Sequence, residues 1–174
     1  MALIRCASNP VLSAEDIPFD ASLIFNAGVC KYQGRYVMVF RNDVGFSPDG
    51  NWGKTRTNLG IACSRDGVKW EVKPWKAAAD LVASDPEILR IYDPRLTVID
   101  GRCYLCFAVD TLHGVRGGIA VTEDFETLEV LSLSAPDNRN MVLFPEKFKG
   151  NFVRLERPFP EYSRGYKEKF DVWS

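Results

Sequence analysis

Two apolar segments of the chain carry a polar residue at the same distance from a glycine. Asn26 lies eight residues before Gly34, and Asp93 lies eight residues before Gly101. Gly-centred turns between apolar runs are typical of β-hairpins, so the two positions are expected to be equivalent in two repeated units. An amide and a carboxylate at equivalent positions predict a shared cavity for a polar ligand. A strand cap at Asn26 and an ordinary Asp-Pro turn at Asp93 are the structural alternatives.

Arginine and aspartate recur in the same way on the strands that follow the turns. Arg41 and Arg157 each lie seven residues after the turn glycine of their unit, and Asp43 and Asp110 each lie nine residues after theirs. A cavity that combines carboxylates, amides and guanidinium groups could hold a sugar together with an anion. The alternative for the arginines is a role in surface ion pairs, which contribute little to stability.

Two further segments carry groups that could bind a ligand. Asn138-Arg139-Asn140 places a guanidinium between two amides, which suits phosphate or vicinal hydroxyls, although a hydrophilic turn after Pro136-Asp137 is the alternative. His113 is the only histidine and precedes Gly114 in a predicted loop. A histidine in such a loop is more often structural, so substrate binding by His113 is the less favoured of two interpretations.

The elements that must position these residues are repeated hairpins. Three segments pair two apolar strands across a Gly-centred turn: residues 29–40, 97–107 and 147–155. Second hairpins follow at residues 60–70 and 118–128, and a third opens at residues 170–174. Repeats of two hairpins are typical of β-propellers. Strands are predicted near residues 23–32, 35–42, 58–64 and 69–73, then 92–99, 102–109, 117–122 and 127–131, then 141–148, 151–157 and 170–174.

The repeats predict an all-β fold, a partial β-propeller catalytic domain over residues 1–174. Its blades are expected near residues 23–73, 92–131 and 141–174, the last one incomplete, which is about two and a half blades. Residues 76–83 could form a short helix but are interpreted chiefly as the connection between blades. Since a propeller ring needs at least four blades, the chain is expected to be the N-terminal half of a longer protein. Ring closure with another chain is the alternative.

Composition and charge argue against several classes of partner. The net charge of −1 gives no electrostatic case for binding nucleic acid or an anionic membrane. Residues 1–8 contain no long apolar run, which predicts neither a secretory signal nor an anchor and favours a cytoplasmic location. Cys103 and Cys106 form a CxxC motif inside a predicted strand, where the two thiols must face opposite sides. They are interpreted as small buried hydrophobes, and no metal site is predicted.

Several of these segments resemble glycoside hydrolase family 130, which comprises β-mannoside phosphorylases and a few β-mannosidases. The resemblance rests on Phe25-Asn26-Ala27-Gly28-Val29, Val39-Phe40-Arg41, Tyr92-Asp93-Pro94-Arg95, Asn138-Arg139-Asn140 with Leu143-Phe144-Pro145, and Glu156-Arg157-Pro158. It covers nearly the whole chain in order and corresponds to about the first half of a family member. The resemblance implies a five-bladed β-propeller.

The resemblance also implies a mechanism, the inverting phosphorolysis of β-mannosides. Asp93 would be the general acid, acting through the 3-hydroxyl of the mannosyl unit, which relays the proton to the glycosidic oxygen. Inorganic phosphate would attack the anomeric carbon from the opposite face and give mannose 1-phosphate. Because phosphate is already a nucleophile, one carboxylate suffices where an inverting hydrolase needs two. No cofactor is implied beyond phosphate as co-substrate.

By the same resemblance, six further residues match family positions that contact the substrates. Phosphate binding is implied for Arg139, Asn140 and Arg157, and mannosyl binding for Asn26, Arg41 and Asp43. The arginines at 139 and 157 favour a phosphorylase, because a hydrolase needs no cationic phosphate clamp. A β-mannosidase and a non-catalytic carbohydrate-binding fragment are the alternatives, and the 174-residue chain alone is expected to be inactive. The linkage, the acceptor sugar and the oligomeric state, a homo-oligomer included, stay open.

Overall fold

Three antiparallel sheets follow one another along the chain in the computed structural model, which describes residues 4–45 and 55–158. The first sheet contains β1 (Leu23–Tyr32), β2 (Arg35–Val44), β3 (Arg56–Ser64) and β4 (Glu71–Pro74). The second contains β5 (Ile88–Ile99), β6 (Arg102–Thr111), β7 (Gly114–Thr122) and β8 (Glu129–Leu133). In the third, β9 (Asn138–Leu143) pairs with β10 (Arg154–Pro158). Each strand pairs with its neighbour in sequence, as in a propeller blade.

The all-β class and the four-stranded build of the first two units are confirmed. The number of blades in the whole ring and its closure stay predictions. The connection between the first two sheets contains helix α1 (Lys76–Ser84). Residues 76–83 therefore connect two blades, as predicted, and they do so as a short helix. The helix forms because Ala77, Ala78 and Leu81 bury one of its faces. Within the described ranges, no helix has the length and apolar character needed to cross a membrane.

The third unit departs from its predicted boundaries. β9 ends at Leu143 and β10 begins at Arg154, although the strands were expected to reach residues 148 and 151. Pro145 lacks a backbone donor and interrupts the ladder. Beyond it, Phe148 and Asn151 close a separate tight turn through two hydrogen bonds of 2.9 and 3.0 Å. The predicted strand at residues 170–174 lies outside the described residues.

The hydrophobic core lies between consecutive sheets. The largest cluster joins the first two sheets to α1, and its members include Val39, Ile61, Leu81, Leu105 and Phe107. Smaller clusters lie between the second sheet and β9, and between the first sheet and the N-terminal segment: Ile99, Tyr104, Cys106, Ile119, Val121, Met141 and Leu143 form one, and Ile17, Met38, Phe40 and Ala62 form the other. Both four-stranded sheets are therefore buried on both faces, as expected for propeller blades.

The cysteines behave as the strand period predicts. Cys103 belongs to the core between the first two sheets, and Cys106 to the core on the other side of β6. The Cys103 sulfur lies 3.8 Å from that of Cys30 on β1, and all five cysteines are free thiols. The CxxC motif thus divides its thiols between two cores, and burial raises the pKa of Cys106 to about 11.

Candidate active site

The first strand of each sheet contains a β-bulge at the same place. Two residues of the first strand oppose one residue of its partner in β1–β2, β5–β6 and β9–β10. The bulged strands carry Asn26, Asp93 and Asn140 in left-handed backbone conformation, with φ of 49°, 53° and 57°. Asn and Asp tolerate this conformation better than other non-glycine residues. The three sheets therefore project polar side chains from equivalent positions.

The predicted equivalence of positions is confirmed on the partner strands. Arg41 pairs with the residue that precedes the bulged Asn26, and Arg157 pairs with the residue that precedes Asn140. Asp43 and Asp110 also occupy matching places, each two residues beyond the corresponding paired residue. Counting from turn glycines missed the equivalence of Asn140, because its turn glycine follows ten residues later instead of eight.

Asp93 is buried between the first two sheets. Its carboxylate oxygen Oδ1 accepts a hydrogen bond of 2.8 Å from the Asn26 side-chain nitrogen, across the sheet boundary. The Arg41 guanidinium lies 3.5 Å from the same oxygen. The carboxylate is only 12% exposed, so its neighbours and not bulk water control its environment. Asn26, Arg41 and Asp93 thus form one cluster, as the sequence predicts.

Asp43 holds Arg41 in place. The Arg41 guanidinium donates two hydrogen bonds to the Asp43 carboxylate, from Nε at 2.9 Å and from Nη2 at 2.8 Å. It also packs against the rings of Phe25 and Tyr92, with its central carbon 4.7 and 5.2 Å from their centroids. Burial would lower the pKa of Arg41, but Asp43, and then Asp93, outweigh it and raise that pKa. Because the Asp43 side chain is completely buried and engaged by Arg41, it acts on that guanidinium.

Close backbone approach brings the Asn26 amide to Asp93. A Cβ atom on Gly28 would lie 2.9 Å from the carbonyl oxygen of Pro94, the Cα of Arg95 and the backbone nitrogen of Leu96. Only glycine leaves room for β1 and β5 at this separation. The glycine that follows Asn26 by two residues therefore sets the distance between the two inner strands.

Three arginines lie next to the Asp93 cluster, on the side of the third sheet: Arg95, Arg139 and Arg157. Burial lowers the pKa of Arg157, and the positive charges of Arg139 and Arg95 lower it further, while the charge of Asp93 opposes them. Arg95 also donates a hydrogen bond of 3.2 Å to the backbone carbonyl of Asp93. When the Asn140 amide oxygen faces Arg157, it accepts hydrogen bonds of 3.0 and 3.2 Å from that guanidinium. An anion bound here would offset the repulsion between the guanidinium groups.

Tyr92 connects the two groups of side chains, a link that sequence reasoning missed. Its hydroxyl donates a hydrogen bond of 2.6 Å to the Asp110 carboxylate, and the Arg139 side chain also hydrogen-bonds to it. Burial, followed by the interaction with Asp110, raises the pKa of Tyr92 to about 12. The available signal was the position of Tyr92 directly before Asp93, on the same strand as the general-acid candidate.

His113 lies apart from these residues. It occupies the turn between β6 and β7, with its imidazole Nε2 3.6 Å from the Glu87 carboxylate and its side chain 66% exposed. Among the described residues, no contact joins it to Asp93 or to the arginines. Substrate binding by His113 stays a prediction.

Comparison with known proteins decides the family. A family model described as beta-1,4-mannooligosaccharide phosphorylase matches residues 8–165. The chain belongs to glycoside hydrolase family 130. The resemblance in the sequence motifs is thereby confirmed over most of the chain.

Curated proteins of similar sequence are phosphorylases. The chain is 30% identical over 165 residues to the beta-1,4-mannooligosaccharide phosphorylase of Ruminococcus albus, covering 88% of this chain and 46% of that protein. It is 27% identical over 179 residues to the 1,2-beta-oligomannan phosphorylase of a Thermoanaerobacter species, covering 98% of this chain and 58% of that protein. The chain therefore spans about half the length of the curated relatives it matches.

A solved structure supports the same fold. The beta-1,2-mannobiose phosphorylase of Listeria innocua, in complex with beta-1,2-mannobiose, superposes with a TM-score of 0.72 at 21% identity. The match covers 97% of this chain and 61% of the Listeria chain. At this identity the likeness shows the arrangement of the sheets, and the chemistry must be argued from the site.

Proposed function

We propose that the protein containing this chain cleaves β-mannosides by inverting phosphorolysis and releases mannose 1-phosphate. The observation that carries the proposal is the position of Asp93, a buried carboxylate between a polar cluster on the first sheet and the arginines beside the third. The names of the family 130 relatives support the same chemistry. Because the chain spans about half of those relatives, the activity is proposed for the protein in which the chain occurs.

In the proposed reaction, residues of the first sheet hold the mannosyl unit while Asp93 supplies the proton. Asn26 and Arg41 would contact the mannosyl unit and keep the Asp93 carboxyl directed at its 3-hydroxyl. In its protonated form, Asp93 gives its proton to that hydroxyl, which passes a proton to the glycosidic oxygen as the bond to the anomeric carbon breaks. Asp43 contributes by fixing the Arg41 guanidinium, since a bidentate pair restricts both position and orientation.

The arginines would bind the attacking phosphate. Arg139 and Arg157, with Asn140 against Arg157, form a cationic group that can hold a phosphate dianion through several charge-assisted hydrogen bonds. Phosphate held in this way needs no general base, so one carboxylate acid completes the reaction. A hydrolase would have no use for this concentration of positive charge, which is why we favour phosphate over water as the acceptor.

Replacement of the acid tests the proposal. Asp93→Asn keeps the shape of the side chain and its hydrogen bond with the first sheet but removes the proton donor. We expect kcat for phosphorolysis to fall by about 10²–10⁴-fold, the range of general acid catalysis. The measurement is release of mannose 1-phosphate from β-mannooligosaccharides by the full-length protein.

Asp100→Asn is the matched control, because Asp100 lies in the β5–β6 turn and pairs with Lys147. Its turnover should stay within twofold of the wild-type value. An Asp93→Asn protein with wild-type turnover would remove Asp93 from the role of acid. Mannose release that does not depend on phosphate would instead identify a β-mannosidase.

A further inference from the structure

We propose that Tyr92 and Asp110 are positioning residues that orient Arg139 toward the bound phosphate. This inference rests on the proposed phosphorolysis and adds to it a link between the mannosyl side and the phosphate side of the site. Tyr92 directly precedes Asp93 on β5. The residue that would orient the phosphate-binding Arg139 is therefore the sequence neighbour of the proposed general acid.

The direction of the hydrogen bonds supports this role. The Tyr92 hydroxyl has one proton, which it donates to the Asp110 carboxylate over 2.6 Å. The hydroxyl oxygen then faces Arg139 as an acceptor, and the Arg139 side chain hydrogen-bonds to it. A guanidinium carries five N–H donors in a rigid planar fork. Attaching one edge of that fork to Tyr92 therefore also fixes the direction of its other donors.

The two positioning residues are themselves held firmly. Tyr92 is 3% exposed, and two guanidinium groups pack against its ring, with the central carbons of Arg41 and Arg90 5.2 and 5.3 Å from its centroid. Arg90 also donates a hydrogen bond to the second oxygen of Asp110. Asp110 thus accepts one bond from Tyr92 and one from Arg90, which leaves the hydroxyl proton a single well-defined direction.

A direct role of Tyr92 in phosphate binding fits the geometry less well. To donate to phosphate, its hydroxyl would have to give up the short bond to a carboxylate, the stronger class of hydrogen bond. A pKa of about 12 keeps the hydroxyl protonated at neutral pH, so it does not present a negative charge to an incoming phosphate. An indirect role through Arg139 keeps the hydrogen bond from Tyr92 to Asp110 and leaves the hydroxyl protonated.

The test is Tyr92→Phe in the full-length protein, which removes the hydroxyl and keeps the ring. We expect the KM for phosphate, and the Kd for inorganic phosphate measured by calorimetry, to rise by about tenfold, because hydrogen bonds to charged groups contribute at least that much. The kcat at saturating phosphate and the KM for the mannoside should change by less than twofold. Asp110→Asn, which keeps an acceptor of the same shape, should raise the KM for phosphate in the same direction.

Two comparisons separate positioning from a general structural effect. Tyr104→Phe makes the same chemical change at a buried tyrosine on β6 and should leave both KM values unchanged. In a double-mutant cycle, Tyr92→Phe should add no further loss of phosphate affinity once Arg139 is replaced by alanine, because the two residues act through one contact.

The outcomes also separate this inference from the proposed function. If the wild-type protein shows no phosphate-dependent turnover, the proposed phosphorolysis is wrong and the inference fails with it. If the wild-type protein uses phosphate but Tyr92→Phe has a KM for phosphate within twofold of its value, only the positioning role is wrong. If Tyr92→Phe lowers phosphate affinity by the same factor in the wild-type protein and in the Arg139→Ala protein, Tyr92 does not act through Arg139, and the positioning role is wrong.

Discussion

At the scale of single residues, charged side chains in the site are held in place by oppositely charged side chains. Arg41 is the clearest example, because its guanidinium is bound by Asp43, enclosed by two aromatic rings and placed beside the Asp93 carboxylate. Asp43 was predicted from the family resemblance to contact the sugar. Its complete burial and its two bonds to Arg41 support a role through that arginine, and direct contact with the sugar stays a prediction.

The Arg41–Asp43 pair makes a prediction about stability. Asp43→Asn leaves a guanidinium that is 16% exposed without its carboxylate partner. Removal of one member of a buried ion pair commonly costs about 3–5 kcal/mol, because the remaining charge is uncompensated. We expect a loss of unfolding free energy near the lower end of that range, measured by urea denaturation, since Arg41 keeps its contact with Asp93.

The control for this change is Asp20→Asn. Asp20 makes a 4.0 Å ion pair with Arg56 in which both side chains are more than three-quarters exposed. Exposed pairs of this kind contribute at most about 1 kcal/mol. Equal losses for the two variants would show that burial of the Arg41–Asp43 pair does not matter.

At the scale of elements, the same β-bulge is used three times to present a polar side chain. A bulge adds one residue to a strand and redirects the side chains around it, so it can place Asn26, Asp93 and Asn140 out of the regular alternation of their strands. Asn and Asp suit this place for two reasons, because they tolerate the left-handed conformation and also carry the polar groups that the site needs. Local backbone preference and chemistry thus select the same residues.

The close contact of β1 with β5 predicts the effect of a single methyl group. Gly28→Ala would place a Cβ 2.9 Å from three backbone atoms of residues 94–96, which cannot move aside as a flexible side chain would. We expect a destabilisation of about 1–3 kcal/mol, as for other overpacked sites. We also expect a fall in kcat, because separating the strands lengthens the Asn26–Asp93 hydrogen bond.

Gly34→Ala separates this steric effect from the general cost of replacing a turn glycine. Gly34 has a φ of 78°, but a Cβ there would have no atom within 4 Å. Its replacement should destabilise the protein through backbone strain and leave kcat unchanged. A Gly28→Ala protein with wild-type kcat would contradict the proposal that this contact sets the geometry of the acid.

At the scale of the whole molecule, sheets stack in chain order and the site forms where their first strands meet. Asp93 contacts Asn26 of β1 and Arg41 of β2 on one side, and on the other its charge acts on Arg157 of β10. Val142 on β9 is 40% exposed, and Phe144 and Phe152, in the connection between β9 and β10, are 42% and 49% exposed. The described residues therefore form three consecutive sheets and do not close a ring.

This arrangement predicts the behaviour of the isolated chain. We expect the 174-residue chain alone to show no phosphorolysis, because the described sheets enclose the site on only part of its circumference. The measurement is mannose 1-phosphate release by the purified chain beside the full-length protein under the same conditions. Turnover by the chain alone at the full-length rate would show that these sheets are sufficient.

The sequence by itself determined the hairpins and most of the matching positions. Within a hairpin, the number of residues between a turn glycine and a strand position is preserved when the strands keep their length. For this reason counting correctly paired Asn26 with Asp93, Arg41 with Arg157, and Asp43 with Asp110. The motif residues were sufficient to recognise the family, because their order and spacing survive when most other positions change.

Only the tertiary structure decided which of these residues meet. The longer β9–β10 connection hid the equivalence of Asn140, since a loop can gain residues without moving the strands that it joins. The burial of Asp43 and the contact of Tyr92 with Arg139 depend on packing between strands and sheets, which no count along one strand contains. Short-range patterns specify each hairpin, whereas the distances between sheets follow from how closely their backbones can approach, as Gly28 shows.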